Sequence, residues 1–326
     1  MHVNHLLAVV LAAAVTWSLP LRAQQQPAIG FLTSGSLASL NKQWLAAFHR
    51  GLSDSGFVEG QNVTIFYRAA EDLYDRLPDL AAELVRDQVA TIVAAGGPVS
   101  ALAAKKATNT IPIVFTTIAD PVKSGLVSSF NRPDGNATGT AGLTSELDVK
   151  RLELLHQTTP NARVVGILAN PNRPGVEAQL VAVQSAARAI GCELVVERAG
   201  DPQAIDTAFE KFAEQRADAL VVTADPLFNF RRAQVITLAQ RYAIPAIYQW
   251  REFVADGGLM SYGPSIAEAY HQAGVYAGRI LKGARPADLP VVQPTRFELV
   301  VNLRVAKALG LELPPSLLAT ANAVLE

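Results

Sequence analysis

The residues whose types and spacing could do chemistry sit just after short runs of β-branched and apolar residues. Gly96-Gly97-Pro98-Val99-Ser100 is the most informative of these loops. Glycines let a ligand approach the backbone closely, and proline suits the first turn of a helix. Free N–H groups there, with the positive end of a helix dipole, attract a carboxylate or a phosphate. The plainer reading is a strand-to-helix turn. No Gly-Lys-Ser/Thr follows, so the loop is not a P-loop, and it lacks the Gly-x-Gly-x-x-Gly dinucleotide pattern. Ser34 and Ser36 either bond a ligand or cap the helix that begins near Leu37. Asp120-Pro121 and Asp225-Pro226 hold corresponding positions in the two halves of the chain. Each aspartate is a candidate for an ammonium or hydroxyl group, and each Asp-Pro equally well starts a turn and caps a helix. Thr116 and Asn170 complete the polar set. Phe228, Tyr248, Trp250 and Tyr262 cluster near strand ends of the second half; Tyr248 and Trp250 are candidates for stacking on a flat ligand, although aromatics more often fill cores.

Catalytic patterns are missing from the sequence. It contains no Gly-x-Ser-x-Gly elbow, no His-Glu-x-x-His and no nucleophile in an activating context. His156 and Cys192 lack the spacing of metal ligands. Glu71-Asp72 reads as a solvated loop, and His271 as a solvent or inter-lobe position on a helix. The expectation is a binding protein without cofactor or metal, and not an enzyme.

The elements that must position these residues alternate. Ala28 to Thr33 reads as a strand, and Leu37, Leu40, Trp44, Ala47, Phe48 and Leu52 repeat at helical spacing, with Gly56 at the expected helix end. Strand-like runs at 62–68, 89–94 and 111–116 are separated by helical patterns at 73–85 and 98–107. Residues 131–143 are rich in turn formers, and there the series pauses. It resumes with strands at 164–168, 193–197, 219–223 and 244–248 between helices, including one from Phe230 to Tyr242. The βα series predicts α/β architecture in two similar lobes, each a doubly wound parallel sheet flanked by helices. Ligands bind beyond the carboxyl ends of such strands, where the unusual residues lie.

Bulk properties agree with a binding role. The chain has 326 residues, 50% apolar content and a formal charge of −1, with no basic block to suit nucleic acid. Leu6 to Val15 is an unbroken apolar run, too short to span a bilayer but of the length of a signal-peptide core. Cleavage after Ala23 is expected, which places the mature protein in the periplasm; the alternative is a buried N-terminal helix. No cysteine lies near the cleavage site to carry a lipid, and Cys192, the only cysteine, cannot form an internal disulfide.

Taken together, Ile29-Gly-Phe-Leu-Thr-Ser-Gly-Ser36, Gly96-Gly-Pro98, Ile111-Pro-Ile-Val-Phe115, Asp120-Pro-Val122 with Gly125-Leu-Val127, Asn131-Arg-Pro-Asp-Gly-Asn-Ala-Thr-Gly139, Lys150-Arg-Leu-Glu-Leu-Leu155, Ala224-Asp-Pro226, Arg251-Glu-Phe253 and Gly257-Gly-Leu-Met-Ser-Tyr-Gly263 form a specific pattern. The chain resembles the ABC transporter substrate-binding protein family whose characterised members take up tryptophan and related aromatic amino acids. That resemblance implies the type I periplasmic binding fold, with ligand in the hinge cleft and three crossings between lobes, expected near Leu143, Gly263 and Val292. It divides the chain into a signal peptide (1–23), a first lobe (24–143 with 264–292) and a second lobe (144–263 with 293–326). It implies that Ser34, Ser36, Gly97, Ser100, Thr116 and Asp120 hold the amino and carboxylate groups of a small ligand, with the Thr144-Ser145-Glu146 run beside them. The expected partners are a small-molecule ligand and ABC permease subunits, the protein acting as a monomer. A periplasmic sensor feeding a chemoreceptor or kinase, and an exported α/β enzyme, remain the alternatives.

Overall fold

The computed structural model describes residues 26–37, 42–142, 147–173 and 175–326. The expected signal peptide, Leu40, the crossing at Leu143 and the Thr144-Ser145-Glu146 run lie outside the described residues.

The first sheet contains β1 (Ala28–Thr33), β2 (Thr64–Ala69), β3 (Thr91–Ala95), β4 (Ile113–Thr117) and β5 (Ala137–Ala141). All pair in parallel, in the order β2-β1-β3-β4-β5. Helices α1 (Lys42–Asp54), α2 (Leu77–Arg86) and α3 (Pro98–Ala107) connect them. Strands β3, β4 and β5 are buried along their whole length, so β3 and β4 read as apolar and β-branched runs without polar alternation. The helix expected from residue 73 begins at Leu77 after a single 3₁₀ turn at Tyr74–Arg76, with Pro78 in its first turn.

Part of the segment read as turn formers is a strand. Ala137-Thr-Gly-Thr-Ala141 pairs with β4 along its full length. A Cβ on Gly139 would lie 2.0 Å from the Phe115 carbonyl oxygen, so close approach to β4 demands glycine and obscures the strand signal. The buried Thr138 hydroxyl donates to the Leu289 carbonyl at 2.6 Å, which meets its polar requirement.

The second lobe follows with α4 (Asp148–Thr158), β6 (Val164–Ala169), α5 (Val176–Ala189), β7 (Glu193–Arg198), α6 (Pro202–Glu214) and β8 (Ala219–Val222). The helix expected at 230–242 is α8 (Arg232–Arg241), and a short helix not expected from sequence, α7 (Pro226–Phe230), precedes it, the two separated at Arg231 by backbone at φ −96°, ψ 22°. Then come β9 (Ala246–Tyr248), α9 (Arg251–Ala255), β10 (Met260–Gly263) and α10 (Ile266–Leu281). The chain ends with β11 (Glu298–Asn302), α11 (Leu303–Ala308), α12 (Pro315–Thr320) and β12 (Ala323–Leu325). The sheet order is β12-β11-β10-β9-β8-β6-β7. Read from β7, its first five strands repeat the order of the first sheet; β11 then adds antiparallel to β10. Strand order reverses between β1 and β3 and again between β6 and β8, and the crevice beyond such a reversal is where ligands bind.

Helix α10 follows a strand of the second sheet yet packs against α1 and the first sheet. Tyr270, Ala273, Tyr276, Ala277 and Ile280 share a core with Phe31, Trp44, Phe48 and Leu52. Two glycines set the contact: a Cβ on Gly51 would lie 1.9 Å from the His271 carbonyl oxygen, and one on Gly274 2.1 Å from that of Phe48. Val292 then bridges Thr140 of β5 before the chain returns to the second sheet as β11. Gly274→Ala is expected to push α1 and α10 apart and cost about 1–3 kcal/mol. A lowered urea midpoint at unchanged m would register this, whereas an unchanged midpoint would mean the helices separate freely.

Candidate functional site

A cavity of about 350 Å³ lies between the carboxyl ends of the two sheets. The loop after β3 brings Gly97, and the carboxyl ends of β4 and β5 bring Thr116 and Thr140, to one wall; α7, which follows β8, brings Pro226, Asn229 and Phe230, and the loop after β9 brings Trp250, to the other. Trp44 of α1 and Tyr270 of α10 complete it, their rings 5.8 Å apart. Thr116 and the Gly96 backbone face the Tyr270 hydroxyl and favour its ionised form, but burial outweighs them. Burial pushes the Tyr270 hydroxyl above its ordinary pKa, so it stays protonated.

The lobes meet around this space. The Trp44 indole Nε1 donates to Glu252 Oε1 at 2.7 Å, a buried bond across the cleft. Tyr74 Oη reaches Asp225 Oδ1 at 3.4 Å. Gly97, at φ +94°, faces the Pro226 ring, which a Cβ there would meet at 2.7 Å. Gly35 lies so close to the Phe230 ring that a Cβ would come within 2.1 Å of it.

Asp72, read from sequence as part of a solvated loop, is the acid of an inter-lobe ion pair. Its carboxylate lies 2.7 Å from Arg231 Nη2, and its side chain is only 4% exposed. Glu71 and Asp72 adopt left-handed backbone, φ 56° and 65°, which side-chain-bearing residues disfavour. Their amides donate to the Gly35 and Ser34 carbonyls at 3.2 and 3.0 Å, fixing the turn against the first strand-end loop. Burial raises the Asp72 carboxyl pKa above the usual range, and the attraction of Arg231 only partly opposes this.

Behind the second-lobe wall lies a buried charge network. Asp148 pairs with Arg151 and accepts from Gln179 Nε2, while Arg151 Nε donates to the Tyr262 carbonyl at 2.8 Å. Asp225 Oδ1 accepts from the Leu227 amide at 2.9 Å and Asn170 Nδ2 at 3.0 Å, and its other oxygen faces Arg173 Nε at 3.8 Å. Burial raises both aspartates and lowers both arginines; the opposite charges counter that desolvation. Two acids matched by two bases leave no net buried charge, the condition under which such a cluster is tolerated.

The residues singled out from sequence fall into three places. Gly97, Thr116 and Trp250 line the cavity. Ser34, Asn170 and Asp225 tie strand-end loops together behind it: Ser34 Oγ donates to the Gly96 carbonyl at 2.7 Å, and Asn170 to Asp225. Ser36, Ser100, Asp120 and Tyr248 are not among the lining residues. Ser100 is fully buried, and Asp120 accepts from the Val122 and Lys123 amides at 2.8 and 3.1 Å, capping its own turn. Tyr248 stacks on Phe253 at 4.6 Å inside the second lobe, and Phe228 is core as well. Cys192 is buried, its sulfur 3.8 Å from His156 Nδ1; among the described residues no three metal-binding side chains gather. Sequence reasoning did not single out Trp44, Thr140, Asn229, Phe230 or Tyr270 as site residues. Trp44 and Tyr270 belong to apolar helical stripes and do pack in a core, so periodicity alone hides the edge each presents to the cavity.

Comparison with known proteins gives these observations a context. The sequence profile described as ABC transporter substrate binding protein matches residues 39–325. A protein named tyrosine-binding protein, from Clostridioides difficile (strain R20291), is 30% identical over 265 residues, covering 81% of this chain and 76% of the other. Among solved structures, an ABC domain in complex with L-Trp from Streptococcus pneumonia superposes with a TM-score of 0.82 at 24% identity, over 92% of this chain and 100% of the other. The ligand-free, open structure of a substrate binding protein with adhesive properties from Clostridium difficile superposes at 0.62, with 26% identity, over 92% and 99%. Two parallel-sheet lobes of matching strand order, a cavity between their carboxyl edges and a profile match over most of the chain agree: this protein belongs to the ABC transporter substrate-binding protein family.

Proposed function

We propose that this protein is the exported solute-capturing component of an ABC importer and that its cargo is an aromatic amino acid or a closely related aromatic carboxylate. The observation that carries this reading is the inter-lobe cavity, whose walls include Trp44, Phe230, Trp250 and Tyr270. Its volume of about 350 Å³ falls within the usual range for small-molecule sites, and flat faces with a few polar groups suit an aromatic ring bearing a polar end. The tyrosine-binding relative and the L-Trp-bound structure support the same cargo class. The chain superposes better on the L-Trp complex than on the ligand-free, open structure, although its identity to the open one is slightly higher.

Function on this reading is binding coupled to hinge motion. Open lobes interconvert with a closed form, and a ligand touching both walls favours closure. Closure brings Trp44 to Glu252 and Asp72 to Arg231, so the surface offered to permease subunits in the membrane differs between the two states. The apolar leader at Leu6–Val15 directs export to the periplasm, where this capture takes place.

Two of the three tryptophans, Trp44 and Trp250, line the cavity, and Trp17 lies in the leader. Intrinsic fluorescence of the mature protein therefore reports directly on the site. Titration with L-tyrosine, followed by a calorimetric check with L-tryptophan, is expected to give saturable micromolar or tighter binding, and small-angle scattering a smaller radius of gyration with ligand. Capture of non-aromatic solutes while the whole aromatic panel stays unbound would reject this cargo.

The ion pair across the cleft yields a second expectation. Arg231→Gln leaves the Asp72 carboxylate buried and unpaired in the closed form only. Affinity should fall about 3- to 10-fold, a modest loss because Arg231 is 41% exposed and screened by solvent. Adding Asp72→Asn should restore most of it. Equal affinities in wild type and Arg231→Gln would show that the pair does not bias closure.

A further inference from the structure

The inter-lobe cavity has two ends of different character. At one end Trp44, Phe230, Trp250 and Tyr270 are buried, and the lobes are held together by the Trp44–Glu252 bond and by Pro226 against Gly97. The other end lies where the chain passes between lobes, and its walls are residues 264–272 and 292–295. Small residues, Ala141, Gly142, Ser265 and Ala269, stand there in place of aromatic rings. Among the described lining residues, all those exposed to solvent belong to this second end: Glu268, Val292, Gln293 and Thr295. A residue that both lines a cavity and is exposed marks where that cavity meets solvent. With the lobes in contact as they are here, the space is therefore closed at its aromatic end and open beside the crossings.

This asymmetry orients an aromatic cargo. Its ring lies among the four buried aromatic side chains, and its charged backbone end points toward the opening, because charge buried among rings would lose its hydration without gaining partners. At the opening, Glu268 at the start of α10 is the one carboxylate among the described lining residues. The nearby His271 is engaged elsewhere, its Nε2 lying 2.7 Å from Asp54 Oδ2 of α1. An ammonium group that reaches the opening is attracted by Glu268, and a carboxylate placed there is repelled. Solvent screens both effects, since Glu268 is exposed.

Building on the cargo class proposed above, we propose that the opening between residues 264–272 and 292–295 lets the site take aromatic amino acids extended through their amino group, as in a dipeptide whose second residue is aromatic. The added residue lies between α10 and the 292–295 segment, with its terminal ammonium toward Glu268. A cavity sealed at both ends would have to hold the lobes apart to accept such a ligand. Here the added residue occupies space that already meets solvent, so the contacts between lobes at the aromatic end are kept. The aromatic wall then selects the ring, and the opening sets how long a cargo can be.

The test titrates L-tyrosine, glycyl-L-tyrosine and L-tyrosyl-glycine into the mature full-length protein by calorimetry. Glycyl-L-tyrosine is expected to bind within about 10-fold of L-tyrosine, and L-tyrosyl-glycine more weakly than its isomer, because it sets a carboxylate beside Glu268. Thr295→Trp and, separately, Gln293→Trp fill the opening from exposed positions. Each should lower the ratio of glycyl-L-tyrosine to L-tyrosine affinity about 10-fold, the size of an overpacking penalty. A merely structural role would weaken both ligands alike and leave the ratio where it was. Circular dichroism and melting curves identify any variant that fails to fold, and either folded variant suffices. A wild-type gap between L-tyrosine and glycyl-L-tyrosine wider than about 10-fold, a preference for L-tyrosyl-glycine, or an unchanged ratio in the folded variants overturns this proposal and leaves the aromatic-cargo reading standing. If wild type binds none of the three ligands and no L-tryptophan, both readings fall together.

Discussion

In each lobe one hydrogen bond ties together the two loops at which strand order reverses. In the first it runs from the Ser34 hydroxyl to the Gly96 carbonyl, in the second from the Asn170 amide to the Asp225 carboxylate. Strands inside the sheets are held on both sides by backbone pairing, whereas the loops beyond their ends are not, so these are the points where a loop could wander. Pinning them fixes the direction in which α3 and α7 leave the sheets, and with it the positions of Gly97 and Pro226 on opposite sides of the cleft. The cavity depends on both ties. Loss of either would move a wall rather than remove a ligand contact.

The second tie is embedded in charge. Asp225 answers to Asn170, Arg173, the Leu227 amide and, across the cleft, Tyr74. Asp148 and Arg151 extend the network to the Tyr262 carbonyl, one residue before the end of β10, where the chain leaves the second sheet. A buried cluster of balanced charge contributes little net stability, but its members have few alternative arrangements. The second lobe is therefore stiff near the end of β10, where the chain leaves it for the first lobe.

The βα alternation was legible because strands buried on both faces must be apolar, as in Ile113-Val-Phe115 and Ala219-Leu-Val-Val222. Strand β5 was not, since Gly139 is required by the nearness of Phe115, a contact between segments far apart in sequence order. The site was legible in its loops and obscure in its floor. Gly97, Thr116 and Trp250 stand at strand ends, where composition is unusual, whereas Trp44 and Tyr270 come from helices whose periodicity shows only that they face inward. Ser34, Asn170 and Asp225 have the residue types of ligand contacts, but their side chains bond to neighbouring loops of their own lobe and, for Asp225, also to Tyr74 across the cleft. Residue type indicates that a polar group is wanted at such a position; only the fold shows which partner it serves.

Helix α10 has a consequence for the order in which the molecule can form. It fills the core beneath α1 and touches β3, β4 and β5, yet it is encoded after nearly all of the second lobe. The first sheet therefore cannot cover its Trp44, Phe48 and Phe31 side until residues 266–281 are available. A growing chain holds its N-terminal strands early and the helix that completes them late, so their packing waits on a long-range contact. The second sheet is also completed late, by β11 and β12 that follow α10, so both sheets take their last pieces from the final quarter of the chain.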